Sequence, residues 1–159
     1  MTRIAFIAAA TLSAVLALAP AASAGPRLNA TEREVIQRLN AARAEHGLGA
    51  LRPARGLNRA ADRHSRDMLA RDFFDHPSSD GTPFDQRVRR FARASMVGET
   101  LASLPDRRGG AATVVHIWMT SPAHRAIVLD PRLTRVGVGR RWGTLGNSRM
   151  AVVTADFAS

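Results

Sequence analysis

The chain contains no cysteine, and that absence limits how it can be held together. It opens on a pattern that predicts export: Arg3, an apolar stretch from Ile4 to Leu18, and an A-x-A cleavage site at Ala22-Ser23-Ala24. Small exported domains often rely on disulfides. This one must rely on packing. Thiol catalysis, cysteine-ligated metal and a lipid anchor on a cleavage-point cysteine are all excluded. The expected organisation is a signal peptide over 1–24, cut after Ala24, and one domain over 25–159, long enough for a single core. The apolar run is short for a membrane span and diluted by Thr and Ser, so no transmembrane segment is expected after cleavage. The expected location is secreted or periplasmic.

Charge is the second constraint. The formal net charge is +10, and every basic side chain is Arg. Codon bias in a GC-rich genome would explain the Arg preference without a functional cause. The field still attracts anionic cell-wall polymers or lipid surfaces in a salt-dependent way. Nucleic acid is not expected, because aromatics are few and no reader motif is present.

Periodicity predicts helices first and a hairpin last. A helix is expected over Thr31–Glu45, opened by a Thr31/Glu34 capping box and stopped at Gly47. "LGALRPARG" reads as a loop. A second helix is expected over 57–71, with Leu57, Ala60, Ala61, His64, Met68 and Leu69 on one face. After the loop "FFDHPSSDG", Thr82-Pro83 reads as N-cap and N1 of a short helix through Phe91. Residues 95–102 read as a strand interrupted by Gly98, and 111–120 as a helix. Ser121-Pro122 restarts a helix to Leu129, and "TRVGVGRRW" and "RMAVVTADF" form a hairpin. The fold class is therefore α+β, a small antiparallel sheet with helices against it.

Three residues draw attention on chemical grounds. His76 lies in a loop beside a Phe pair, a setting that suits binding or catalysis and equally a half-buried imidazole bonded to backbone. His124 falls at N3 of the helix capped by Ser121, where the helix dipole favours the neutral imidazole. The alternative is a solvent-facing residue in an ordinary Ser-Pro helix start. Glu99 is acidic within an apolar strand, so it either faces solvent or meets a partner. Two histidines and a carboxylate suit Zn²⁺ with an open position, or a metal-free polar cluster. His64 reads as a core histidine, His46 as a helix C-terminal residue and His116 as exposed. No nucleophile elbow, dinucleotide loop or HExxH is present.

"LNAARAEHGLGALRPARGLNRAADRHSRDMLARDFFDHPSSDGTPFDQRV" resembles the opening half of a CAP-superfamily domain (cysteine-rich secretory protein, antigen 5, pathogenesis-related 1). "VGETLA" resembles its Gly-Glu-Asn segment, "WMTSPAHRAIVLDPRLTRVGVG" closely resembles its bacterial branch, and "VVTADF" resembles its final strand. The resemblance spans roughly residues 30–157. It implies a three-layer α-β-α sandwich with a small central antiparallel sheet, and a cleft lined by a His-Glu-Glu-His tetrad. The first His corresponds to His76, the first Glu to Glu99 and the last His to His124. The second Glu falls on Ser121, as is frequent in bacterial members, which leaves one carboxylate. Thr100 replaces the usual Asn beside the glutamate, and a hydroxyl cannot fully replace the amide donor and acceptor in local support of Glu99.

The functional expectation is an exported binding module. Its cleft of His76, Glu99, Ser121 and His124 would take a small apolar ligand, an extracellular polymer or a divalent metal. His76 and His124 are the candidate ligands for Zn²⁺. One alternative is a metal-assisted hydrolase of peptidase or esterase type, with Glu99 as candidate base. The other is a cell-wall-associated protein acting through its basic surface.

Overall fold

Every other layer is organised around the last strand. The computed structural model describes residues 28–105 and 110–159. The expected leader over 1–24 and residues 106–109 lie outside the described residues. The elements run α1 Ala30–Glu45, β1 Arg52–Pro53, α2 Arg55–Arg71, α3 Phe84–Arg89, β2 Val97–Pro105, α4 Ala111–Thr120, α5 Pro122–Val128, β3 Arg135–Leu145 and β4 Ser148–Ala158. The sheet order is β1-β3-β4-β2. β4 pairs antiparallel with β3 from Leu145↔Ser148 to Arg135↔Ala158, and with β2 from Pro105↔Met150 to Val97↔Ala158.

Helices cover both faces. On one, Val136, Val138, Val153, Ala155 and Phe157 join Val35, Leu39 and Trp118 of α1 and α4 in the main core. The indole of buried Trp118 donates to the Leu101 carbonyl at 2.9 Å, which ties α4 to β2. On the other face α2 lies directly on the sheet. A Cβ at Gly137 would fall 2.1 Å from the Asn58 nitrogen, and one at Gly139 would fall 2.3 Å from the Asp62 nitrogen. Only glycine permits that approach. The three-layer α+β expectation holds.

Local details differ from the sequence reading for identifiable reasons. The α1 capping box is Asn29 with Glu32, not Thr31 with Glu34. Asn caps as well as Thr, and the helix begins one residue earlier. At the other end Gly47, at φ 68°, brings Leu48 N–H to the Arg43 carbonyl and Gly47 N–H to the Ala44 carbonyl, a Schellman stop. "LGALRPARG" is not wholly loop: Arg52–Pro53 pairs parallel with β3, at a sheet edge where Pro is tolerated. Pro83 is the N-cap of α3 rather than its first residue, and the helix stops at Arg89. Gly98 does not interrupt β2, which runs unbroken through it.

The absence of cysteine is answered partly by one buried cation. Arg43 is 2% exposed. Its guanidinium donates to the carbonyls of Gly49, Val128, Asp130 and Leu133 at 2.7–3.1 Å. Five fixed donors let a single Arg bind the end of α1 to the segment that follows α5.

Candidate functional site

β2 is an edge strand, and Glu99 sits near its start. Strand alternation turns Glu99 and Leu101 toward the α2 side, while Ala102 and Leu104 join the α1/α4 core. Thr100 is turned away from Glu99 for the same reason, and its buried hydroxyl has no partner. It could not have supported the carboxylate.

That support comes from two other elements. Glu99, 1% exposed, accepts from His76 Nδ1 at 2.8 Å through Oε1. Its Oε2 accepts from Arg87 Nη2. Arg87 also donates through Nη1 to the His76 carbonyl at 2.8 Å and to Ser78 Oγ at 3.1 Å. One guanidinium on α3 therefore holds both the acid and the loop that carries the histidine. The sequence reading missed Arg87. The available signal was a basic residue on the inward side of a one-and-a-half-turn helix, next to Val88.

His64 secures the same loop from α2. Its Nε2 donates to the Asp75 carbonyl at 2.9 Å, and its ring meets Phe73 edge-on at 6.1 Å between centroids. Burial pulls its pKa down, and the nearby Glu99 opposes this. It is the core histidine expected, although its Nδ1 has no partner.

The fourth participant, Asp156, was also missed. It stands opposite Glu99 across β2 and β4 and is 0% exposed. Burial, then the charge of Glu99, pushes its pKa well up, so Asp156 is held as the neutral acid. The motif "VVTADF" reads as strand, and nothing in that string marks which register position faces Glu99.

His124 approaches from the other layer. It is N3 of α5, as expected, and α5 packs on β2. Its pKa is lowered first by burial and then by the charge of His76, so the two imidazoles are near enough to interact. The sequence reading gave the dipole as the cause of neutrality; burial is the larger one. His124 Nδ1 is buried without a partner. The pKa of His76 is raised, chiefly by its hydrogen bond to Glu99.

Ser121 takes the N-cap position of α5, but its side chain makes no capping bond. It is half-buried and joins no part of the Glu99 network. Two grooves, of about 610 and 830 Å³, are lined by other residues, and none of His76, Glu99 or His124 is among them.

The comparisons with known proteins agree with this architecture. A profile described as "Cysteine-rich secretory protein family" (CAP) matches residues 36–157. The chain belongs to the CAP family. It is 35% identical over 121 residues to the protein YkwD of Bacillus subtilis strain 168, covering 74% of this chain and 45% of that protein. It thus spans under half the length of that relative. An extracellular SCP-domain protein from Bacillus anthracis superposes with a TM-score of 0.68 at 22% identity, covering 80% of this chain and 40% of that one. An outer surface protein of Borrelia burgdorferi superposes at 0.65 with 17% identity, covering 84% and 98% of the two chains. At these identities the structural matches speak to the CAP fold alone. Among the described residues no helix is long and apolar enough to cross a membrane.

A metal fits this CAP site only in part. Among the described residues no group of three or more His, Asp or Glu side chains is arranged to hold one. Glu99 has both oxygens engaged. The donors left are the Nε2 of His76, whose Nδ1 faces Glu99, and the unpartnered Nδ1 of His124.

Proposed function

We propose that the protein is an exported CAP binding module in which His76 and His124 take a divalent cation, Zn²⁺ foremost, and not a hydrolase. The observation that carries this reading is the double engagement of Glu99 by His76 and Arg87. A His whose far nitrogen bonds a carboxylate is fixed in orientation and made a better ligand. The neutral form of His76 then presents a lone pair on Nε2. His124 is kept neutral by burial and offers an imidazole without a competing hydrogen bond. Zinc bound there retains open positions, and an extracellular ligand bearing an oxygen or nitrogen donor completes them.

The hydrolase alternative asks Glu99 to take a proton from water. A side chain with no exposed surface, paired through both oxygens, is poorly placed for that task.

The test is zinc titration followed by thermal unfolding and calorimetry. Wild type should show saturable stabilisation of a few degrees. His76→Ala and His124→Ala should each abolish it while remaining folded. Equal stabilisation of all three proteins would remove the metal reading. Ester or peptide hydrolysis by wild type that disappears in Glu99→Gln would restore the enzyme.

A further inference from the structure

One groove takes Arg87 into its wall but is lined by neither histidine of the candidate pair. It is about 830 Å³ and runs along α2. Arg59, Arg63, Arg66 and Ala70 repeat at helical spacing on this side of α2, followed by Arg71. Ser78 and Ser79 of the 73–81 loop supply hydroxyls from the facing wall.

Its charge is unbalanced in a definite way. The three carboxylates in the lining are engaged within the protein. Asp62 pairs with Arg66 at 3.2 Å and with Arg141. Asp67 accepts from Ser79 N at 2.9 Å and Ser79 Oγ at 2.7 Å. Asp80 accepts from Thr82 N at 2.9 Å. Beyond Arg66 and Arg87, the arginines of the lining are not matched in return. Among the described residues Arg59 and Arg71 have no hydrogen-bond or ion-pair partner, and Arg63 only lies over the Phe91 ring, 5.6 Å from its centre. Two buried side chains in the wall, His64 and Arg87, also carry a nitrogen without a partner.

We propose that this groove binds a linear phosphodiester polymer that carries no bases. A rise of 1.5 Å per residue puts Arg59 and Arg63 about 6 Å apart along the helix and Arg59 and Arg71 about 18 Å apart. Successive phosphates of an extended chain fall within that reach, and guanidinium forks suit phosphate oxygens. A concave site fits a chain better than a flat bilayer. Phe91 is the groove's aromatic lining residue and Arg63 already covers it, so there is no open platform for a nucleobase.

The site is separate from the histidine pair, so either can fail alone. The experiment uses a fluorescently labelled poly(glycerol phosphate) of about ten units, read by anisotropy over a salt series. About three phosphate contacts predict a slope of log affinity on log salt near −2. The triple variant R59Q/R63Q/R71Q removes exposed side chains, so its unfolding midpoint should shift little. Its binding should fall at least tenfold and its slope approach zero. R52Q/R93Q/R149Q, with the same net charge, should bind within about twofold of wild type, as should His76→Ala and His124→Ala. Equal weakening of the two triples would mean diffuse charge and overturn the proposal. Loss of polymer binding in the histidine variants would overturn a separate site. Tighter binding of a ten-residue oligo-dT, or binding of phosphatidylglycerol vesicles without the polymer, would replace it with nucleic acid or membrane.

Discussion

Glu99 and Asp156 face each other across the β2–β4 ladder, both sealed from solvent, and Arg87 brings a single guanidinium to the pair through Glu99. Two carboxyls and one cation in a dry site are accommodated by keeping a proton on Asp156.

That proton has a consequence for stability. The folded pKa of Asp156 is raised above its unfolded value, so the folded state holds a proton the unfolded state releases. Stability contributed this way is full below the ordinary carboxylate range and declines as pH rises toward the raised value, on the order of 1 kcal/mol per pH unit. Asp156→Asn carries no such proton. Urea unfolding at pH 5 and pH 8 should show a smaller loss of stability on going basic in the variant than in wild type. Parallel pH profiles would mean that Asp156 ionises in the fold.

Arg87→Met should be among the most damaging single changes. It leaves Glu99 buried without its cation and releases the carbonyl of His76, and loss of one partner of a buried pair costs about 3–5 kcal/mol. Adding Glu99→Gln to Arg87→Met should recover part of that loss, because the uncompensated charge is gone. A urea-unfolding double-mutant cycle measures the recovery, and additive losses would show that the two side chains act independently.

How far this site was legible follows from which part of the chain holds each group. His76 and Glu99 carried recognisable neighbours, "FFDHP" and "VGETLA". His124 followed from the Ser-Pro helix start. Arg87 and Asp156 did not stand out, because their roles arise from register and from the packing of α3 on β2. One Arg among many in a chain of net charge +10 has no local mark. The same holds for Arg43, whose four carbonyl partners come from segments scattered over 49–133. Helices were legible because their periodicity is local. The two-residue β1 was not, since a parallel edge pairing leaves no periodic trace.

The two site histidines should titrate apart. The Glu99 hydrogen bond lifts His76, while burial lowers His124. Imidazole resonances followed by NMR should show His124 losing its proton at lower pH than His76. Glu99→Gln should bring His76 down toward the ordinary value. The stabilisation from the His76–Glu99 pair is full below the unfolded histidine pKa and is lost as pH rises through the raised folded one. It is small, because the His76 side chain is 43% exposed. Coincident titrations in wild type would contradict the hydrogen bond.

The glycines of "RVGVGRR" test the sandwich itself. Gly137 and Gly139 occupy the strand positions beneath α2, where an added methyl meets helix backbone and not a side chain that can turn aside. Gly137→Ala should therefore force α2 off the sheet. Overpacking of this kind usually costs 1–3 kcal/mol. A collision at 2.1 Å with the backbone at Leu57 and Asn58 should lie at or beyond the upper end of that range. The effect should reach the candidate site, since α2 carries His64, which pins the Asp75 carbonyl next to His76. Gly143→Ala is the matched control: its Cβ would sit 3.4 Å from Leu69 side-chain carbons, a contact that a small side-chain shift relieves. Urea midpoints should fall steeply for Gly137→Ala and hardly at all for Gly143→Ala. Similar midpoints would mean that α2 does not rest on the sheet at the distance described.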